Sequence, residues 1–370
     1  MRKIAVVTGT RAEWGLLRPV CAAIRAERGL ALQVVAGGAH LLAPARTIDE
    51  VRAFAPALVE FPMQVAGESG RLADARALGR GIAVLADHFA SLAPDIVVVL
   101  GDRIEAFAAA SAAAIGGIRV AHIHGGDRAE GVADESMRHA ITKLAHIHFP
   151  ASPESAQRIL GLGEHPATVH LVGSPAIDGL ADVAPLADAR YAELGSPEFV
   201  VLFHPCGRDE PTEYANACDV LDAALAHGRV LALAPNSDPG RGGVVRAISE
   251  RLGALRVADH LPREQFVGLL KRRELKALVG NSSAGIIEAS SLGTPVVDVG
   301  TRQRGRERAR NVVGCAVVER DAVMEAIAEA VMAPRRATSP YGDGKASARI
   351  ASVLASFDAS RHPIAKLNAF

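Results

Sequence analysis

The sequence predicts an α/β protein built from two doubly wound domains. Three observations predict it. The chain has 370 residues, too many for one ordinary core, since domains cluster near about 150 residues. Short β-branched runs alternate with long Ala- and Leu-rich stretches along its whole length, the pattern of sheets covered by helices. A stretch with Pro175, Pro185 and Pro197 interrupts that alternation near its middle.

Taken in order, the strand-like runs are 4–7, 32–35, 96–100, 119–123 and 146–149, then 169–172, 199–203, 230–234, 255–258, 277–279 and 295–299. Several, such as IVVVL at 96–100, are continuously apolar, as parallel strands buried on both faces are. Between them 16–27, 71–92, 105–115 and 214–227 carry helical patterns. The seam predicts domains at 1–175 and 176–349, with a last helix near 344–357 and a C-terminal segment, about 350–370, free to pack back on the first domain. In open α/β sheets ligands bind beyond the carboxyl ends of the strands, so the expected site is a cleft between the two domains.

Lys+Arg and Asp+Glu both number 41, for a formal charge of +0. A neutral chain excludes general nucleic-acid binding, which needs a basic surface. It leaves room for a small anion held by a few local charges and amides. Four scattered cysteines without a CxxC pair argue against a disulfide scaffold or zinc knuckle and fit a reducing, cytoplasmic location. The longest apolar stretch, 106–118, is about 13 residues of mostly Ala and Gly, too short to span a bilayer, and the N-terminus has no signal-peptide core. No membrane partner is expected.

The candidate chemistry lies at strand ends. GTRAEWG follows the first strand. Its Gly lets amides approach a phosphate at a helix N-terminus and Arg11 is placed to pair with the oxygens; equally, it is an ordinary turn with a surface Arg. Asp102 follows IVVVL and is either a general base, tuned by desolvation, or a helix cap. Five of the 13 histidines fall between 122 and 148, in two His-x-His pairs, a spacing that suits zinc or hydrogen-bonded strand ends. Asp134 opens the next helix, with Arg138 and His139 beyond it. There it either complements the helix dipole or joins Asp102 and His124 in acid–base work. In the second half, His204 and Asn236 end strands, and GNSSAGIIE joins strand to helix. Ser282, Ser283 and the free amides of that helix start form a phosphate cradle, with Glu288 placed for ribose hydroxyls. Arginines at every second position from Arg302 form a solvated loop or an anion clamp.

These motifs together, with DESMRHAITKLAHIHF, GSPAID, FHP and YGDGKASARI, resemble the hydrolysing UDP-N-acetylglucosamine 2-epimerases of nonulosonic-acid biosynthesis, over nearly the whole chain. The resemblance implies a GT-B-like fold of two Rossmann-type domains around a cleft, and no metal or cofactor. It implies a two-step reaction: loss of the C2 proton with departure of UDP from C1 gives a 2-acetamidoglucal, and water then adds to give the free manno-configured sugar. Asp102 and Asp134 match the family's catalytic acids. Arg11, His204, Asn236, Phe266, Ser282, Ser283, Glu288 and Arg302 match its nucleotide site, with Phe266 on the base. His124 stands where the sialic-acid branch has Glu, and HIHGG, with one extra residue before Asp134, resembles the branch acting on 2,4-diacetamido-2,4,6-trideoxyhexose nucleotides for legionaminic-type acids. Cys206 also departs from the family's continuation after His-Pro. A homodimer is expected from the resemblance. The remaining alternatives are UDP-N-acetylglucosamine itself as substrate, a glycosyltransferase, a metal-dependent hydrolase on the His-x-His pairs, and a non-catalytic nucleotide-sugar sensor.

Overall fold

The computed structural model describes residues 1–43, 46–68, 70–128, 135–236, 238–335 and 339–369. The first six strands, β1 (Arg2–Thr8), β2 (Leu30–Gly37), β3 (Val59–Phe61), β4 (Ile96–Leu100), β5 (Arg119–Ile123) and β6 (Ile147–Phe149), form one parallel sheet in the order β3-β2-β1-β4-β5-β6. The next six are β7 (Phe199–Leu202), β8 (Val230–Leu233), β9 (Arg256–Ala258), β10 (Ala277–Gly280), β11 (Val296–Val299) and β12 (Val312–Cys315). They form a second parallel sheet, β12-β11-β10-β7-β8-β9. Counted from its own first strand, each sheet has the order 3-2-1-4-5-6, the Rossmann arrangement.

The helices are α1 (Arg11–Ala26), α2 (Ile48–Phe54), α3 (Arg71–Leu92), α4 (Ile104–Ile115), α5 (Glu135–Leu144) and α6 (Pro153–Gly161). They continue as α7 (Asp188–Glu193), α8 (Glu210–His227), α9 (Arg241–Ser249), α10 (Arg263–Leu270), α11 (Arg320–Met332) and α12 (Ala346–Ser356). Successive strand residues point to opposite faces, and both faces of each sheet are apolar. In the first sheet Ile4, Val6, Val98 and Ile123 pack on Leu17 and Ile24 of α1 and on Ile350 and Leu354 of α12. Their alternates Ala5, Val7, Val97 and Val99 pack on Leu85 and Phe89 of α3 and the alanines of α4. In the second sheet Val201, Val279 and Val297 face α8, α9 and α11, and Val200, Leu231 and Leu278 face Leu269 and Leu270 of α10. That two-sided burial is why central strands such as β4, IVVVL, and β7, FVVL, are continuously apolar.

The chain divides into two compact units. Met1–Asp127, 135–178 and Gly342 onward form the first, and Arg128 with Gly179–Tyr341 the second. The boundaries fall at 178/179 and 341/342. The Asp178 carboxylate accepts the Ala346 and Ser347 amides at 3.0 and 2.6 Å, capping α12 from outside the helix. Residues 169–172 are not a strand; Val169 makes an isolated bridge with His148. Two strands escape the sequence pattern: β3 has three residues and β12 contains Gly314. Among the described residues no helix is long and apolar enough to cross a membrane.

Candidate active site

In the second unit β7 and β10 are neighbours at which strand order reverses, the place where open α/β sheets open a crevice. Gly280 ends β10 at φ +147°. A Cβ there would lie 2.1 Å from the Leu202 carbonyl oxygen, so only glycine lets the two strand ends close up. The next residue, Asn281, is 1% exposed. Its Oδ1 accepts the His204 amide and its Nδ2 donates to the His204 carbonyl, both at 2.7 Å. One amide side chain thus locks the His204 backbone to the start of the GNSS turn.

The His204 ring is fixed as well. Nδ1 accepts the Asn236 amide at 3.1 Å. Burial, and then the Arg302 charge, push its pKa down to about 4. The ring is therefore neutral at pH 7 and keeps its proton on Nε2, where it is a donor. Arg302 donates to the Asn281 carbonyl at 3.3 Å and lies 3.6 Å from Asp238; Gln303 donates to the same carbonyl at 2.9 Å. Ser282 Oγ accepts the Ala284 amide at 3.3 Å, which makes it the cap of a helix over 283–291. Ser283 and Glu288 are half-buried on that helix, whose centre is a π-turn, Gly285–Ala289, a deviation common at functional sites.

Two candidates of this unit have other duties. The Asn236 side chain bonds Asp238 in both directions, at 2.6 and 3.3 Å, so its amide, not its side chain, serves His204. Phe266 is half-buried against the apolar cluster of Leu269 and Leu270. Of the arginine run, Arg308 is committed to buried Asp298, 2.6 Å away.

In the first unit the switch point lies between β1 and β4. Asp102 follows β4 with its side chain 19% exposed. It is not a helix cap, because the cap of α4 is Arg103. Its carboxylate pairs with buried Arg138, a charge that favours the ionised form. Arg138 Nη1 donates to the Asp127 carbonyl at 2.7 Å. Behind the turn, burial drives the His122 pKa down to about 3, and its Nε2 donates to the Gly101 carbonyl at 2.8 Å. His124 Nδ1 lies 2.8 Å from Asp127 and Nε2 2.9 Å from Ser174. His139 lies 3.7 Å from Glu135, one turn earlier on α5. Asp134 lies outside the described residues.

The turn after β1 departs from expectation. The Gly9 and Thr10 amides are already bonded, at 2.7 and 3.0 Å, to the Glu13 carboxylate, so they are not available to a phosphate. Thr10 Oγ1 accepts the Glu13 amide in return, which completes a capping box. Among the described residues Arg11 pairs with Glu50, at 3.6 Å, and both are exposed. The second unit repeats the device: fully buried Glu213 accepts the Cys206 and Arg208 amides at 2.6 and 3.1 Å. The sequence pattern gave no sign of Glu13 or Glu213 beyond acids near a helix start. The second His-x-His pair diverges, His146 to the Ile364 carbonyl and His148 to Glu164. Among the described residues no group of three His, Cys, Asp or Glu could hold a metal ion.

Comparison with known proteins matches residues 22–355 to the UDP-N-acetylglucosamine 2-epimerase family. A UDP-N,N'-diacetylbacillosamine 2-epimerase (hydrolyzing) of Legionella pneumophila is 35% identical over 100% of both chains. A UDP-N-acetylglucosamine 2-epimerase of Neisseria meningitidis is 33% identical over 85% of this chain and 83% of its own. A GDP/UDP-N,N'-diacetylbacillosamine 2-epimerase (hydrolyzing) of Campylobacter jejuni is 30% identical over 88% and 87%. In fold, the S. aureus MnaA–UDP complex superposes with TM-score 0.80 at 21% identity over 100% of both chains. The UDP-GlcNAc 2-epimerase of N. meningitidis bound to UDP-GlcNAc gives 0.78 at 20%, covering 95% and 99%. Two Rossmann-type units of the GT-B class, with a family match over most of the chain, place this protein in the UDP-N-acetylglucosamine 2-epimerase family.

Proposed function

We propose that the protein is a hydrolysing 2-epimerase whose substrate is UDP-N,N'-diacetylbacillosamine, released as UDP and the free manno-configured sugar for a legionaminic-type acid. The observation behind the choice of sugar is the 35% identity, over the full length of both chains, to the Legionella enzyme. The chemistry follows from the residues. Asp102, kept ionised by Arg138, is a base for the C2 proton. As that proton leaves, negative charge develops on the departing diphosphate. The second unit supplies what such an anion needs: the His204 Nε2–H, the Arg302 guanidinium, the Ser283 hydroxyl and the amides of the 283–291 helix start. Water then adds to the 2-acetamidoglucal, with Asp134 the second acid of the pair. Arg11 and Glu288 complete the nucleotide contacts, Glu288 at the ribose and Phe266 at the base. The enzyme works in the cytoplasm as a homodimer.

The test is to incubate purified protein with UDP-N,N'-diacetylbacillosamine and, separately, UDP-N-acetylglucosamine, following UDP release and the sugar product by NMR in D2O. The expected result is turnover of the first with one deuteron at C2. Turnover of only the second establishes the alternative, which the N. meningitidis relative at 33% identity supports. Turnover without deuterium at C2 removes the elimination step, and a C2-retained product transferred to an acceptor identifies a glycosyltransferase.

A further inference from the structure

Arg302 is loosely held. It donates to the Asn281 carbonyl at 3.3 Å and lies 3.6 Å from Asp238, whereas a firmly placed guanidinium bonds oxygen at about 2.7–3.0 Å. Each of these two partners is also covered by a neutral amide side chain. Gln303 Nε2 donates to the Asn281 carbonyl at 2.9 Å, the shorter of the two bonds to that oxygen. Asn236 Nδ2 donates to Asp238 at 2.6 Å, and the half-buried Asp238 side chain is open to water as well. Gln303 is 2% exposed, and its Oε1 takes no donor among the described residues. Turned the other way, the amide would set Oε1 against a carbonyl oxygen, so the bond to Asn281 fixes its orientation. That bond is not what holds the backbone. The Asn281 amide donates to the Leu202 carbonyl at 3.3 Å, its side chain bonds His204 in both directions, and the Gly285 amide donates to the Ser282 carbonyl at 3.1 Å. What Gln303 adds is a second donor for a buried acceptor.

We propose that Gln303 is a positioning residue that releases Arg302: it keeps the Asn281 carbonyl satisfied while the guanidinium moves from its resting partners to an arriving diphosphate. Asn236 does the same for Asp238. That the anion is a diphosphate rests on the epimerase reading; the shared carbonyl does not. Asn281 is 1% exposed, so without Gln303 the departure of Arg302 would leave a buried oxygen with no donor. That penalty is worth about tenfold or more in an equilibrium, and it would be charged against every binding event. With Gln303 in place the arginine gives up only two long contacts, each already covered. Both stand-ins are neutral amides, which fill these places without adding charge to a site that has to attract an anion and let it go.

The experiment is a double-mutant cycle in the full-length protein: Gln303→Met, Arg302→Met and the two together. It is read by UDP calorimetry and by melting temperature without nucleotide. Gln303→Met keeps the length of the side chain and removes its donor, which leaves Arg302 as the carbonyl's remaining donor. It should weaken UDP binding about tenfold. In the Arg302→Met background the same substitution should cost less than about twofold, since no arginine is left to be held back. Melting should show the opposite coupling. Each single change leaves the carbonyl one donor and the pair leaves none, so the double variant should lose a few degrees more than the two single losses added. An equal cost of Gln303→Met to UDP affinity in both backgrounds overturns the proposal and makes Gln303 a structural residue; additive melting losses overturn it too. Should Gln303→Met fail to fold, Gln303→Asn, one methylene shorter, stretches the same bond and must show the same dependence on Arg302. If the wild-type protein binds no UDP, the diphosphate reading of the site falls, while the melting cycle still judges whether Gln303 and Arg302 share the carbonyl.

Discussion

The two units share a strand order and a device, and differ at one turn. In each, the first strand runs into a turn two of whose amides are taken by a buried glutamate of the following helix, Glu13 or Glu213. That turn is where a dinucleotide-binding sheet would receive pyrophosphate, and here both copies are closed from within. The difference lies after the fourth strand. The first unit places there a carboxylate, Asp102, with its own guanidinium. The second places a serine-capped helix start beside a neutral histidine and an arginine. One topology thus offers two anion-attracting ends. One holds a carboxylate of its own, and the other carries the donors that the proposed function assigns to a diphosphate.

The largest test of this contrast is Asp102→Asn. It should cost at least about a hundredfold in kcat, the scale of a lost general base, while UDP affinity by calorimetry stays within a few-fold. Equal losses of both would erase the division of labour. Ser283→Ala should show the converse, weakening UDP binding by about 1–2 kcal/mol with a smaller change in kcat. Glu213→Gln should weaken UDP binding by about threefold to tenfold, because the amides that fix the His204–Arg208 loop lose part of their acceptor; unchanged affinity would mean the loop is held without it.

Glu13 offers a subtler test. Burial first, and neighbouring Glu105 second, raise its pKa from 4.5 to about 7. A group with a raised folded pKa contributes stability that is complete below its unfolded value and is lost as pH rises through the folded one. The melting temperature should therefore decline between about pH 5 and pH 8, and Glu13→Gln should flatten that slope by a few degrees. A parallel slope in the variant would show that Glu13 does not titrate there. Arg11→Ala should have the smallest effect on stability, under about 1 kcal/mol, because its ion pair with Glu50 is exposed.

Much of this was legible in the residues. IVVVL announces a strand buried on both faces, and an acid directly after it stands where ligands bind, so Asp102 could be placed from sequence. Ser282 could be placed at the start of the helix after β10, where its hydroxyl caps the helix through the Ala284 amide. What stayed hidden depends on contacts between elements distant in sequence. Nothing local marks Arg138 as the partner of Asp102, or the Asn236 amide as the group that sets the His204 tautomer. Glu13 and Glu213 look like any acid near a helix start, and only burial shows that they occupy the amides that Arg11's turn seemed to offer a phosphate. The strands β3 and β12 give no apolar run to read: VEF carries a charge at its centre and VVGC a glycine.

The capping of α12 by Asp178 also has a meaning for how the protein comes into being. Apart from Arg128, the described residues of the second unit are one continuous stretch, Gly179–Tyr341, but the first is closed only by Gly342 onward. Ile350, Leu354 and Phe357 fill one face of the first core, and Arg2 donates to the Ala355 and Phe357 carbonyls at 3.1 and 2.7 Å. A chain emerging from the ribosome can complete its second unit while its first still lacks a wall. The half that begins synthesis is the half that finishes folding, and a chain cut short before α12 would lose its oldest part, not its newest.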